Sequence, residues 1–135
     1  MIEVYTDGYC DPNPGLGGWG WYCPTLGTER NGGEYDTTNN RMEIEAIRQA
    51  LIDLDVSDLT VFSDSEYAIG VISKNWKVKA NRDLVFETRK LATRPGRKVS
   101  FVWVRGHVGN SGNERADLFA KQGSLKVSRK GGRSQ

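Results

Sequence analysis

Leu59-Thr60-Val61-Phe62-Ser63-Asp64-Ser65 constrains the fold of this chain more than any other stretch. Five residues rich in β-branched and aromatic types read as a strand, and Asp64 closes it. Ser65 can then cap a helix carrying Tyr67, Ala68, Ile69, Val71 and Ile72. Strand, acid, helix is the pattern of an α/β crossover, where ligands collect at the carboxyl ends of strands. A carboxylate at this point can also be a plain helix cap, so Asp64 alone identifies nothing. Its weight comes from three further acids in similar settings.

Asp7 sits toward the end of a first strand, Ile2 to Thr6, and opens into a stretch dense in Gly and Pro. Such a stretch permits tight turns and close backbone approach. Gly17 to Pro24 and Thr28 to Asp36 read as a second and third strand, joined by short connections into an antiparallel meander. From Asn40 to Leu54 the period changes, with Ile47, Ala50, Leu51 and Leu54 at helical spacing. Thr37, Thr38 or Asn39 can cap that helix. Glu43 lies one turn before Ile47 on the apolar side, where a charge is costly unless the helix end is wet. A further helix spans Arg82 to Thr93, stopped by Arg94-Pro95-Gly96-Arg97, and Val99 to Val104 is a fifth strand. The Gly-rich loop from Arg105 to Gly112 holds the only histidine, His107. A last helix starts near Asn113 and carries Asp117 in its first turns.

At 135 residues the chain reads as one domain, residues 1–124, followed by a basic tail over 125–135. Lys126, Arg129, Lys130 and Arg133 concentrate four positive charges there without an acid, so the rest of the chain balances at −2 of the overall +2. Low apolar content predicts that this tail is disordered. No apolar run approaches the roughly 20 residues that span a bilayer. Cys10 and Cys23 could form one disulfide, but nothing else points to secretion, so they read as reduced thiols in a cytoplasmic protein.

Asp7, Glu43, Asp64 and Asp117 thus come from four different elements. Hard divalent cations want oxygen ligands, and two ions about 3.5–4 Å apart can clamp the attacking and leaving oxygens of an in-line phosphodiester displacement. Around the acids stand Thr6-Asp7-Gly8 with Cys10, Asn13-Pro14-Gly15 and Gly17-Gly18; Thr37-Thr38-Asn39-Asn40-Arg41-Met42-Glu43; Ser63-Asp64-Ser65 with Tyr67; and Trp103-Val104-Arg105-Gly106-His107 leading to Asn113-Glu114-Arg115-Ala116-Asp117. In this order they resemble type 1 ribonuclease H over residues 2–124. The resemblance implies an α/β, ribonuclease H-like fold with a five-stranded mixed sheet: three antiparallel strands, then two parallel to the first, with helices on both faces. It implies endonucleolytic hydrolysis of the RNA strand of an RNA–DNA hybrid, leaving 5′-phosphate and 3′-hydroxyl ends.

By the same resemblance the cofactors are two Mg²⁺ ions, with Mn²⁺ as substitute. Asp7 bridges both, Asp117 helps hold the ion at the attacking water, and Glu43 and Asp64 hold the ion facing the leaving oxygen. His107 matches a loop histidine that assists proton movement or product departure. Cys10, Asn13, Asn39 and Asn40 match positions that read the RNA minor groove, where 2′-hydroxyls distinguish RNA from DNA. Thr38 and Asn81 match contacts to a DNA phosphate, and Trp76 stands in for a DNA-stacking tryptophan. The implied partner is the hybrid alone, bound by a monomer, with no membrane.

Some positions depart from the family pattern. Asp36 replaces an arginine near the DNA phosphate, and Glu66 replaces a glutamine used toward RNA. The basic handle shrinks to Lys74–Arg82, and Val85 occupies the place of a following aromatic. A non-catalytic hybrid-binding module is a rival reading, opposed by the retention of four mutually repelling acids. A two-metal nuclease for DNA is another, opposed by the Asn-rich positions.

Overall fold

A computed structural model of the chain describes residues 1–106 and 110–134, with side chains through Val127. Strand β1 (Ile2–Cys10) is its axis. It pairs antiparallel with β2 (Gly15–Cys23), which pairs antiparallel with β3 (Thr28–Thr37). On its other side β1 runs parallel to β4 (Asp58–Ser63), and β4 runs parallel to β5 (Lys98–Trp103). The sheet order β3-β2-β1-β4-β5 is the expected mixed sheet. Helices α1 (Asn39–Asp53), α2 (Glu66–Ser73) and α3 (Arg82–Thr93) pack together on one face. Helix α4 (Ser111–Ser134) crosses the other face over β1, β2 and β3.

Alternation along the strands decides what each face buries. Val4 and Val61 are fully buried opposite each other and meet Met42, Ile44, Ile47 and Leu51 of α1 in the main core. Each such side chain contributes roughly 1.5–3 kcal/mol relative to exposure. Trp21 belongs to the same face, where its indole Nε1 donates to Asp53 Oδ2 at 3.1 Å. The other face is built for close approach. Gly18 and Gly20 of β2 lie directly under Ala116 and Ala120, both fully buried, and a Cβ on Gly18 would strike the Ala120 carbonyl.

Most element boundaries differ from the sequence reading by a residue or two, and two differences have a clear cause. β1 continues past Thr6 to Cys10, because its antiparallel partner β2 extends as far as the Cys10–Gly17 pair. α4 begins at Ser111, and the carboxamide of Asn110, not Asn113, accepts from the backbone of the first turn, at 2.9 Å from Asn113 N. The basic stretch after Ser124 follows on in α4, which runs to Ser134. Tertiary contacts hold it as far as Val127: Gly123 rests on Gly32, Val127 meets Gly33, and the Tyr35 hydroxyl donates to the Val127 carbonyl at 2.7 Å.

Candidate active site

The register of β1 against β4 ends at the Thr6–Ser63 pair, so the next residues, Asp7 and Asp64, leave the paired segment side by side. Asp64 is not the cap of α2; Ser65 does that, its Oγ accepting from Ala68 N at 3.0 Å. The backbone of Asp64 is held from β5, where Trp103 Nε1 donates to its carbonyl at 3.2 Å. Glu43 arrives from α1, whose first turn is capped by Thr38 Oγ1 accepting from Arg41 N at 3.1 Å. Helix and strand touch at Gly8, where a Cβ would collide with the backbone of Met42 and Glu43. The Gly8 N–H donates at 2.9 Å to both Asp7 Oδ1 and Glu43 Oε1, locking the two carboxylates to one amide.

Oxygens of Asp7, Glu43 and Asp64 lie within 4.8 Å of one another, and Asp7 and Glu43 are buried. Burial, then the charges of Asp64 and Asp117, push the Asp7 carboxyl up to about 8. Glu43 is raised well above the usual range by burial and then by Asp7 and Asp64. Protons or cations must offset such a cluster. An all-oxygen donor set with one exposed side suits a hard divalent ion such as Mg²⁺ or Mn²⁺, and these three side chains could hold one.

The fourth acid stands slightly apart. Asp117, on α4, lines the same cavity of about 450 Å³ but pairs with Lys121 Nζ at 3.1 Å. That pairing raises the Lys121 pKa. Lys121 and Tyr9, which also line the cavity, are residues that sequence reasoning misses. The available signal for Lys121 is its place four residues after Asp117, which one helical turn brings together.

A second cavity, about 550 Å³, gathers Asn13, Thr38, Asn39, Asn40 and Asn81 around Lys79. Asn39 lines both cavities. The β1–β2 loop, whose Asp11–Pro12 and Asn13–Pro14 bonds are cis, is tied to α1 by Asn39 N donating to Asn13 Oδ1 at 3.0 Å. Cys10 closes the same loop, its thiol donating to the carbonyls of Pro12 and Thr37 at 3.3 and 3.4 Å. Asn81 precedes α3 in a left-handed conformation (φ 56°) and its side chain does not cap that helix. Trp76 is not brought to this cavity: half-exposed, it faces Trp103, Ile69 and Lys74 in a separate groove of about 290 Å³. Asp36 is exposed and lines neither site, while Lys79 supplies the positive charge of the second cavity. His107 lies outside the described residues.

The RNase H family profile matches residues 1–125. The chain is 42% identical over 145 residues to ribonuclease HI of Pseudomonas aeruginosa, an alignment covering 96% of this chain and 97% of the relative. It is 40% identical over 144 residues to a ribonuclease H of Stutzerimonas stutzeri, covering 95% and 94%. With a ribonuclease H of Albidiferax ferrireducens it shares 38% over 138 residues, covering 90% and 93%. No helix among the described residues is long and apolar enough to cross a membrane. A family match over nearly the whole length, on the five-stranded sheet that brings these carboxylates together, makes the chain a member of the RNase H family and an endoribonuclease.

Proposed function

We propose that this enzyme hydrolyses the RNA strand of RNA–DNA hybrids to 5′-phosphate and 3′-hydroxyl ends, using two divalent ions, Mg²⁺ with Mn²⁺ as substitute. The observation that carries this reading is the convergence of Asp7, Glu43 and Asp64 within 4.8 Å, in one cavity with Asp117. These four side chains would hold the ions, which when bound acidify water and offset charge developing at a phosphate. The chain's own contribution is preorganisation. The shared Gly8 amide fixes Asp7 and Glu43 before any ligand arrives, and Trp103 anchors the Asp64 backbone. Donors and acceptors already in place need little rearrangement as charge develops.

Substrate selection follows from two cavities that share Asn39. An RNA strand over the carboxylates presents its 2′-hydroxyls to Asn13, Asn39, Asn40 and the Cys10 loop, all short polar groups or exposed backbone. The other strand then offers a phosphate to Thr38, Asn81 and Lys79, beside the positive end of α1. His107 keeps the role the family resemblance gives it, proton movement or product departure. The test is cleavage of end-labelled hybrid, duplex DNA and duplex RNA, each with Mg²⁺ and with EDTA. Only the hybrid should be cut, on its RNA strand, and only with Mg²⁺. Comparable cleavage of duplex DNA, or cleavage in EDTA, overturns the reading.

A further inference from the structure

Among the described residues lining the carboxylate cavity, Lys121 is the one cation. Asp7, Glu43 and Asp64 face one another, whereas Asp117 faces the Lys121 ammonium at 3.1 Å. That ammonium has a second neighbour: it lies 5.8 Å from the centre of the Tyr9 ring, within cation–π range. Tyr9 stands two residues after Asp7 on the same face of β1 and lines the same cavity. The Lys121 side chain is 49% exposed, so its flexible stem can swing, while the Asp117 side chain is only 18% exposed. Exposed ion pairs one turn apart on a helix add little to stability. The effect of this one falls instead on the carboxylate it occupies.

We propose that Lys121 is a tethered counter-ion of Asp117 that an incoming divalent cation must displace, with the Tyr9 ring receiving the ammonium once it is displaced. The inference rests on the reading of the four carboxylates as a metal site. It makes Lys121 a positioning residue: its charge lowers the affinity of the site on the Asp117 side and leaves that carboxylate paired when no ion is present. Tyr9 has the opposite effect, since a second resting place for the ammonium makes displacement easier.

Calorimetric titration with Mg²⁺, backed by the Mg²⁺-dependent rise in melting temperature, tests this on the full chain without substrate. Lys121→Met should bind Mg²⁺ about three- to ten-fold more tightly, the scale expected when one unit charge is removed beside a divalent ion in a largely hydrated cavity. Lys121→Arg should stay near wild type, and Tyr9→Leu should bind more weakly. Circular dichroism checks that each variant is folded. Equal or weaker binding by Lys121→Met overturns the proposal, and unchanged binding by Tyr9→Leu overturns the part given to the ring. Asp64→Asn separates the two levels of inference. If wild type binds Mg²⁺ and Asp64→Asn does not, the metal site stands whatever Lys121 does. If wild type binds none, both fall.

Discussion

Burial and neighbouring charge both hold the proton on Asp7, whose pKa rises to about 8 in the fold. In the unfolded chain an aspartate titrates near its ordinary value of about 3.9. Between those limits the native state binds a proton that the unfolded chain has lost, so stability falls as pH rises. Asp7's favourable contribution is complete below about pH 4 and gone once the pH has passed about 8. In EDTA the melting temperature should therefore decline from pH 5 to 9, and Asp7→Asn should flatten the decline. Added Mg²⁺ should raise the melting temperature most at the alkaline end. Thermal melts of both proteins across that range check this, and a flat wild-type profile contradicts it. Asp64→Asn removes one charge from the same cluster. It should keep hybrid binding, lower turnover by orders of magnitude and raise the metal-free melting temperature. Near-wild-type Mg²⁺-dependent cleavage by that variant would remove Asp64 from the proposed metal ligands. These acids could be picked out in the sequence because each reads as near a strand's end or a helix's beginning and sits in a motif of the family pattern. Lys121 carried only the weak signal of its place one turn after Asp117, and Lys79 stood unmarked within the basic handle, because a lysine looks like any other solvated charge until the fold supplies its neighbours.

At the scale of elements, Arg97 has a larger role than its place in a helix-stopping Arg-Pro-Gly-Arg segment implies. Arg97 is buried, and its guanidinium donates to the carbonyls of Leu51 and Leu54 at the end of α1 and of Leu91 near the end of α3. Those are carbonyls that a helix terminus leaves without an intrahelical partner. Arg97→Leu strips a charged donor from three of them and should cost about 2–4 kcal/mol. Urea unfolding measures the loss, and a change below about 1 kcal/mol would show that water replaces the side chain easily. The order and type of the strands and helices could be read from period, caps and turn residues. What could not be read was length. β1 runs beyond Thr6 because β2 keeps pairing with it, and α4 packs beyond Ser124 as far as Val127 because Gly32, Gly33 and Tyr35 of a distant strand support it. The second extension depends on a partner 92 residues away in the sequence, and the composition of residues 124–127 carries no trace of it.

The charge of the whole molecule bears on how it grips substrate. Residues through Val127 pack against β3, so ending the chain there preserves that packing while removing Arg129, Lys130 and Arg133 and shifting net charge from +2 to −1. If that basic end of α4 reaches phosphates, the truncated protein should bind hybrid more weakly at low salt. The log–log salt dependence should also flatten, by roughly 0.7–0.9 for each phosphate that is no longer neutralised. Its single-turnover rate at saturating enzyme should stay the same. The check is Kd for hybrid across a salt series, and superimposable curves would show that the core alone holds the duplex. The four acids also have an order in time. Translation delivers Asp7, Glu43 and Asp64 first, and Asp117 only with the helix that closes the second face of the sheet. A growing chain therefore displays three acids of the set well before it can display the fourth. On the proposed reading the full set of four acids is assembled only once α4 has docked onto its glycine track.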